Sequence, residues 1–145
     1  MSDAIRGSCL CGAVVFEVSD VTPIQYCHAR RCRKATGSAF APELLAPEAS
    51  LRWLSGAEQV REYEAPLLDS PPAYRRAFCN TCGSPLPNSI GNVPFVALHA
   101  GVLDDDPGSR PFRHAFVDQK ACWHEIVDDL PTYPGRPPVP EEYGG

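Results

Sequence analysis

Gly7-Ser8-Cys9-Leu10-Cys11-Gly12 and Phe78-Cys79-Asn80-Thr81-Cys82-Gly83 are the stretches whose reading decides the fold. Each puts two thiols close together beside a glycine. Four thiols in two close pairs are the ligand count of a closed tetrahedral zinc site. One ion shared by Cys9, Cys11, Cys79 and Cys82 would tie the start of the chain to its middle. The flanking glycines permit the tight backbone that a metal knuckle needs. If the strand predicted from Ala13 extends back through Gly12, Cys9 and Cys11 point the same way, because side chains two apart share a face. The competing reading is four reduced cysteines packed as small apolar residues. Two close pairs, each bracketed by glycine, favour the metal.

The rest of the composition agrees with a small β-rich protein. At 145 residues and 43% hydrophobic content the chain is expected to form one domain with a real core. Its 16 prolines and 11 glycines favour short strands and turns over long helices. The net charge of -5 and the pI of 5.3 argue against a nucleic-acid backbone as partner. The polar start Met1-Ser2-Asp3-Ala4-Ile5-Arg6 leads straight into the first motif, and no stretch is apolar enough for a membrane span. The expected compartment is the cytoplasm, where thiols stay reduced and close cysteine pairs read as metal ligands. The cysteine count, 7, is odd, so complete disulfide pairing would leave one thiol over.

Strands are predicted at Ala13–Val18, with Val14, Phe16 and Val18 on one face, and at Ser50–Leu54, Glu58–Glu64, Tyr74–Phe78, Val93–His99 and Phe112–Val117, while Ile24 to Cys27 reads as a short apolar entry into the third cysteine group and Ala39 to Pro42 as an extended path. Ala29 to Thr36 reads as a short helix ended by Gly37. Pro66 to Pro72 reads as a surface loop, and Asp104-Asp105-Asp106-Pro107-Gly108 as an exposed turn rather than a calcium loop. Trp123 to Leu130 carries apolar anchors. Trp123, Phe95 and Phe112 read as core, and Cys122 as a buried apolar residue. The residues from 132 to 145 form a proline-rich tail beyond a domain spanning 1–131, draped over the domain or over a partner.

Taken together, these motifs resemble the glutathione-dependent formaldehyde-activating enzyme family, which includes the domain of centromere protein V. The resemblance runs from Gly7-Ser8-Cys9-Leu10-Cys11-Gly12 through Cys27-His28 and Cys32-Arg33-Lys34-Ala35-Thr36-Gly37-Ser38-Ala39-Phe40. It continues through Phe78 to Leu86, Gly101 to Asp105 and Trp123 to Pro131. It implies a mostly β fold, a β-tent of packed antiparallel sheets with a structural zinc on Cys9, Cys11, Cys79 and Cys82 and one or two short helices. It also implies carbon–sulfur lyase chemistry on a thiol–aldehyde adduct. The family pattern holds a second zinc on C-x-C-x-x-C. Here the corresponding stretch is Cys27-His28-Ala29-Arg30-Arg31-Cys32, and Ala29 cannot donate to a metal.

Three readings stay open for Cys27 and Cys32. They bind a second zinc with a substitute ligand such as His28, His99, His114, His124 or Cys122. They are metal-free and reactive, with thiolates favoured by the neighbouring cations. Or they are packed remnants of a lost site. Two thiolates alone make a poor zinc site, so the expected content is one structural zinc per chain. The candidate catalytic residues are Cys27, Cys32 and His28, the last as a proton shuttle or a ligand. Arg30, Arg31, Arg33 and Lys34 read either as a solvated helix face, as most charge runs are, or as the candidate substrate-binding residues, since glutathione is anionic. The expected partners are a small thiol such as glutathione and its aldehyde adduct, with no nucleic acid and no membrane, and a homodimer is allowed for. The alternative is a non-catalytic zinc-stabilised binding module whose second metal site is lost at Ala29.

Overall fold

The computed structural model describes residues 3–68 and 73–139. In chain order its strands are β1 (Ile5–Ser8), β2 (Val15–Val18), β3 (Ile24–Cys27), β4 (Ala41–Pro47), β5 (Arg52–Ser55) and β6 (Val60–Glu64). They continue as β7 (Arg75–Cys79), β8 (Pro85–Leu86), β9 (Asn88–Ser89), β10 (Phe95–His99) and β11 (Pro111–Ala115). Among the described residues there is one α-helix, α1 (Arg30–Thr36). The protein is mostly β, built from several antiparallel sheets. Its chain divides into two compact units, Met1–Thr22 with Leu44–Ser109, and Pro23–Glu43 with Arg110–Gly145. β4 begins in the second unit and ends in the first.

In the first unit β2 lies between β1 and β5, antiparallel to both. Val14, Phe16 and Val18 are buried, as the period of two requires. Gly7 faces Phe16 across the ladder, and a Cβ at Gly7 would come within 2.3 Å of the Phe16 ring. A glycine is therefore needed there for close approach, not for its backbone angles. β7 lies between β6 and β8, with Ala77 and Cys79 turned inward. β10 pairs with β9 and buries Val96 and Leu98. The acidic turn is exposed, as predicted, and ties down β1. Asp105 Oδ2 accepts the Arg6 N–H at 2.8 Å, and Asp104 Oδ2 accepts the Ser8 hydroxyl at 2.7 Å.

In the second unit β3 pairs antiparallel with the start of β4 and parallel with β11. The β3–β11 pair is parallel, an exception among the antiparallel pairs around it. It is possible because a long excursion of chain separates β3 from β11. Residues of the proline-rich segment run along β11. The His114 N–H donates to Pro131 O and the Tyr133 N–H to His114 O, both at 2.9 Å, and Arg113 Nη1 donates to Pro138 O at 2.8 Å.

Several boundaries move. β2 starts at Val15, because Cys9–Gly12 is a turn and not a backward extension of the strand. A 3-10 turn at Ala57–Gln59 precedes β6. Trp123 and Val127 do not anchor a core: they are 70% and 86% exposed. Cys122 is exposed, not buried. Phe95 and Phe112 are only half-buried. The loop read over Pro66 to Pro72 lies outside the described residues from position 69, as does the tail from position 140. Among the described residues no helix is long and apolar enough to cross a membrane.

Candidate metal centre and cationic cavity

Two tight turns bring the four outer thiols together in the first unit. In the first, the Gly12 N–H donates to Cys9 O at 3.0 Å and the Val14 N–H reaches Cys9 Sγ at 3.3 Å. In the second, the Gly83 N–H donates to Cys79 O at 2.8 Å and the Thr81 N–H reaches Cys79 Sγ at 3.4 Å. Gly12 and Gly83 both sit at positive φ, 81° and 77°, which only glycine adopts cheaply. The sulfurs of Cys9 and Cys11 are 3.5 Å apart, and those of Cys11 and Cys79 are 3.9 Å apart. All four lie within 4.8 Å of one another and could hold a metal ion. Zinc–sulfur bonds of about 2.3 Å in a tetrahedron put the sulfurs about 3.8 Å apart, so the spacing fits.

The electrostatics fit as well. The Cys82 thiol is lowered to about 5, first by Ser84 Oγ, 3.3 Å from its sulfur, then by the Ser84 and Cys11 backbone. Ser84 Oγ itself accepts the Leu10 N–H at 2.8 Å, which frees its hydroxyl proton for a Cys82 thiolate. For Cys9, burial raises the thiol, but the Val14 N–H and the Cys11 and Cys79 thiols outweigh it and the net direction is down. The Cys11 thiol rises to about 11: the Ala13 N–H opposes the rise, and Cys9 together with desolvation drives it. Like charges this close cannot all ionise unless a cation takes the place of the protons.

In the second unit, Cys32 Sγ donates to Cys27 Sγ at 3.0 Å, and both residues are buried. The third donor beside them is Glu43, with the three ligand atoms within 4.8 Å of one another. None of the substitute ligands read from the sequence, His28, His99, His114, His124 or Cys122, joins this cluster. Glu43 Oε1 accepts Gln25 Nε2 at 2.9 Å, and Gln25 Oε1 accepts Arg113 Nε at 2.7 Å. Burial pushes the Glu43 carboxyl up, against the Gln25 hydrogen bond and the fields of Arg113 and Arg136.

His28 is not at the surface. It is fully buried among Phe40, His114 and His124, with ring centroids 5.2, 5.0 and 5.9 Å away. Its Nε2 lies 2.8 Å from His114 Nδ1, and His114 Nε2 lies 3.0 Å from Asp128 Oδ2. The Asp128 carboxylate is held low, first by the Leu130 N–H and then by His114. It therefore accepts from His114 Nε2. With His114 neutral, its Nδ1 accepts from His28 Nε2, and His28 Nδ1 carries a lone pair with no hydrogen-bond partner. Burial, and then repulsion from His114, His124, Lys120 and Arg33, lowers His28 to about 4.

α1 carries Cys32 on its buried side. Arg30, Arg33, Lys34 and Gly37, spaced as one helical face, line an open surface cavity of about 450 Å³ with Ser38 and the exposed Trp123. The Arg30 N–H donates to Gln119 Oε1 at 2.8 Å, which satisfies the helix start. Gly37 closes the helix in the left-handed conformation, its N–H on Arg33 O at 2.8 Å.

The family model for the glutathione-dependent formaldehyde-activating enzyme matches residues 4–119. This chain belongs to that family. A Halomonas elongata protein, provisionally named as a glutathione-dependent formaldehyde-activating enzyme, is 32% identical over 126 residues, 84% of this chain and 80% of that relative. A crystal structure of a Rhodobacter sphaeroides protein matches with a TM-score of 0.53 and 25% identity, over 73% of this chain and 97% of that one.

The structure brings together some residues that the sequence singled out and leaves others apart. Cys9, Cys11, Cys79 and Cys82 converge, and so do Cys27 and Cys32. Arg30, Arg33 and Lys34 line the cavity, while Arg31 is not in its wall. Glu43, Asp128 and the cavity wall at Trp123 were missed. Glu43 left one trace, a lone acid among the apolar residues from Ala39 to Leu45. Trp123 left none, because exposed and core tryptophans look alike in sequence.

Proposed function

We propose that this chain is a zinc-containing carbon–sulfur lyase of the formaldehyde-activating type, acting on a thiol–aldehyde adduct such as S-hydroxymethylglutathione. The observation that carries the reading is the cavity lined by Arg30, Arg33, Lys34 and Trp123. Its volume is in the usual range for small-molecule sites. Glutathione has two carboxylates, which suit the three cations, and a peptide backbone that can lie on the exposed indole. Zinc on Cys9, Cys11, Cys79 and Cys82 is structural in this reading, since four thiolates leave no open position. Arg31, off the cavity wall, adds to the positive field.

In the forward direction the thiol sulfur adds to the aldehyde carbon. A carbon–sulfur bond forms and the thiol proton ends on the former carbonyl oxygen. In reverse the bond breaks and the proton returns to sulfur. The chain needs to supply proximity and proton handling. Cys27 and Cys32 are the candidate sulfur pair, buried on the inner side of α1. His28 is the inner end of a proton route running through His114 to the Asp128 carboxylate.

A titration with glutathione, followed by Trp123 fluorescence in a Trp53→Phe background, tests the pocket. Binding is expected to weaken at least tenfold in Arg33→Ala/Lys34→Ala and to weaken with added salt. Exchange NMR on a glutathione–formaldehyde mixture should show the adduct forming and collapsing faster with the protein present. No binding at millimolar thiol would sink the reading. Binding without acceleration would favour the second reading, a non-catalytic thiol-binding module. Ala29 in the family's ligand position, and the burial of Cys27 and Cys32 to 3% and 5% exposure, favour that alternative.

A further inference from the structure

We propose that Glu43 is the third protein ligand of a second metal site, Cys27–Cys32–Glu43, which takes a thiophilic divalent ion of the zinc class and leaves one coordination position open. The site goes beyond the reading above and does not depend on turnover. A metal count stands whether or not any adduct is cleaved.

The sheet register places Glu43 there. Gln25 faces Glu43 and Cys27 faces Ala41 across the β3–β4 ladder. Residues two apart on a strand share a face, and so do residues directly opposite. Gln25, Cys27, Ala41 and Glu43 thus stand on one side of the sheet, with Glu43 diagonal to Cys27. α1 then delivers Cys32 onto the same side, with its sulfur 3.0 Å from that of Cys27. All three donor atoms fall within 4.8 Å of one another.

The carboxylate is also aimed. Arg113, Gln25 and Glu43 form a row across β11, β3 and β4. Arginine only donates, so Gln25 must turn its Oε1 to Arg113 and its NH₂ to Glu43. That contact fixes the plane of the Glu43 carboxylate. Metal-binding carboxylates are commonly held by such an outer hydrogen bond. Arg113 is itself fixed by its hydrogen bond to Pro138 O and by stacking on Phe112, 4.7 Å from guanidinium carbon to ring centre.

This arrangement changes the meaning of Ala29. It sits just outside α1 with φ of -56° and ψ of 144°, and its methyl group donates nothing. The sheet supplies from β4 the ligand that the loop lacks. Three protein ligands with a fourth position open is the pattern of a catalytic zinc site, and two thiolates select the zinc class over magnesium or calcium. When bound, such an ion would stabilise a thiolate in the open position.

The test uses the full chain, reduced with a phosphine and loaded with cobalt(II) or zinc. The wild type is expected to bind two ions per chain. Glu43→Gln should bind the second at least tenfold more weakly and change its cobalt spectrum, and Cys32→Ser should lose it. Both should keep the four-thiolate cobalt spectrum of the first ion, which reports an intact fold. Glu43→Asp, which keeps the charge on a shorter arm, should lose less affinity than Glu43→Gln. One ion per chain in the reduced wild type overturns the proposal. So does a second ion whose affinity and spectrum are the same in wild type, Glu43→Gln and Glu43→Asp.

Discussion

His28 shows how one residue can be placed by its neighbours rather than by its own chemistry. Desolvation, aided by the positive groups around it, lowers it to about 4 in the folded chain, against a value of about 6.5 when unfolded. As pH falls below 6.5, the unfolded chain binds a proton that the folded chain refuses. The stabilisation from neutral His28 is therefore complete above 6.5, drains away toward 4 and is flat below that. His99 adds a contribution of the same sign, lowered to about 4 first by burial and then by Arg76. The urea midpoint is expected to fall on acidification from pH 6.5 to 5, with a smaller slope in His28→Asn. Nitrogen chemical shifts at pH 6 should show His28 neutral with its proton on Nε2. A neutral His28 with its proton on Nδ1 would contradict the order of donors from His28 through His114 to Asp128.

At the scale of elements, small local features decide where side chains end up. α1 is only 7 residues long, too short to be stable alone, and depends on its ends. Gly37 holds φ at 64° with open space around its missing Cβ, so Gly37→Ala carries the left-handed penalty and no clash. It is expected to cost about 1 kcal/mol and to weaken glutathione binding, since Arg33 and Lys34 ride on the last turn. Denaturant unfolding and the fluorescence titration read the two effects separately. Gly7 is the opposite case. Gly7→Ala would drive a methyl into the Phe16 ring, with Val102 O only 2.8 Å away on another side. Overpacking of this kind costs about 1–3 kcal/mol. If Gly7→Ala proved neutral, the tight β1–β2 contact would not exist.

For the molecule as a whole, the proposed structural ion is a long-range covalent-strength tie. It joins turns whose nearest cysteines, Cys11 and Cys79, are 68 positions apart. A cross-link closing a loop of that length removes chain entropy worth on the order of 4 kcal/mol by loop-closure arithmetic. Removing the ion with a strong chelator should lower Tm by about 10 °C, given about 2–4 °C per kcal/mol for a chain of 145 residues. Calorimetry with and without chelator, followed by zinc re-addition, checks this. An unchanged Tm after verified metal loss would mean that the four thiols merely pack. Charge acts at the same scale. The chain is acidic overall, with a net charge of -5, yet the α1 cavity gathers three cations, so an anionic thiol meets local attraction inside a repelling field.

The sequence by itself determined the features that depend on spacing along the chain. The two cysteine turns follow from short C-x-C and C-x-x-C separations beside glycine. The buried face of Val14, Phe16 and Val18 follows from a period of two, and the end of α1 follows from Gly37. Only the tertiary structure decided what strand pairing and long-range contacts bring together. Glu43 reaches Cys27 through the β3–β4 register, and His114 reaches His28 through the parallel pairing of β11 with β3. Trp123 turns outward where composition suggested a core. The physical reason is that ligand choice, tautomer and exposure depend on atoms far apart in the chain, and no local pattern records which side of a sheet a distant residue will share.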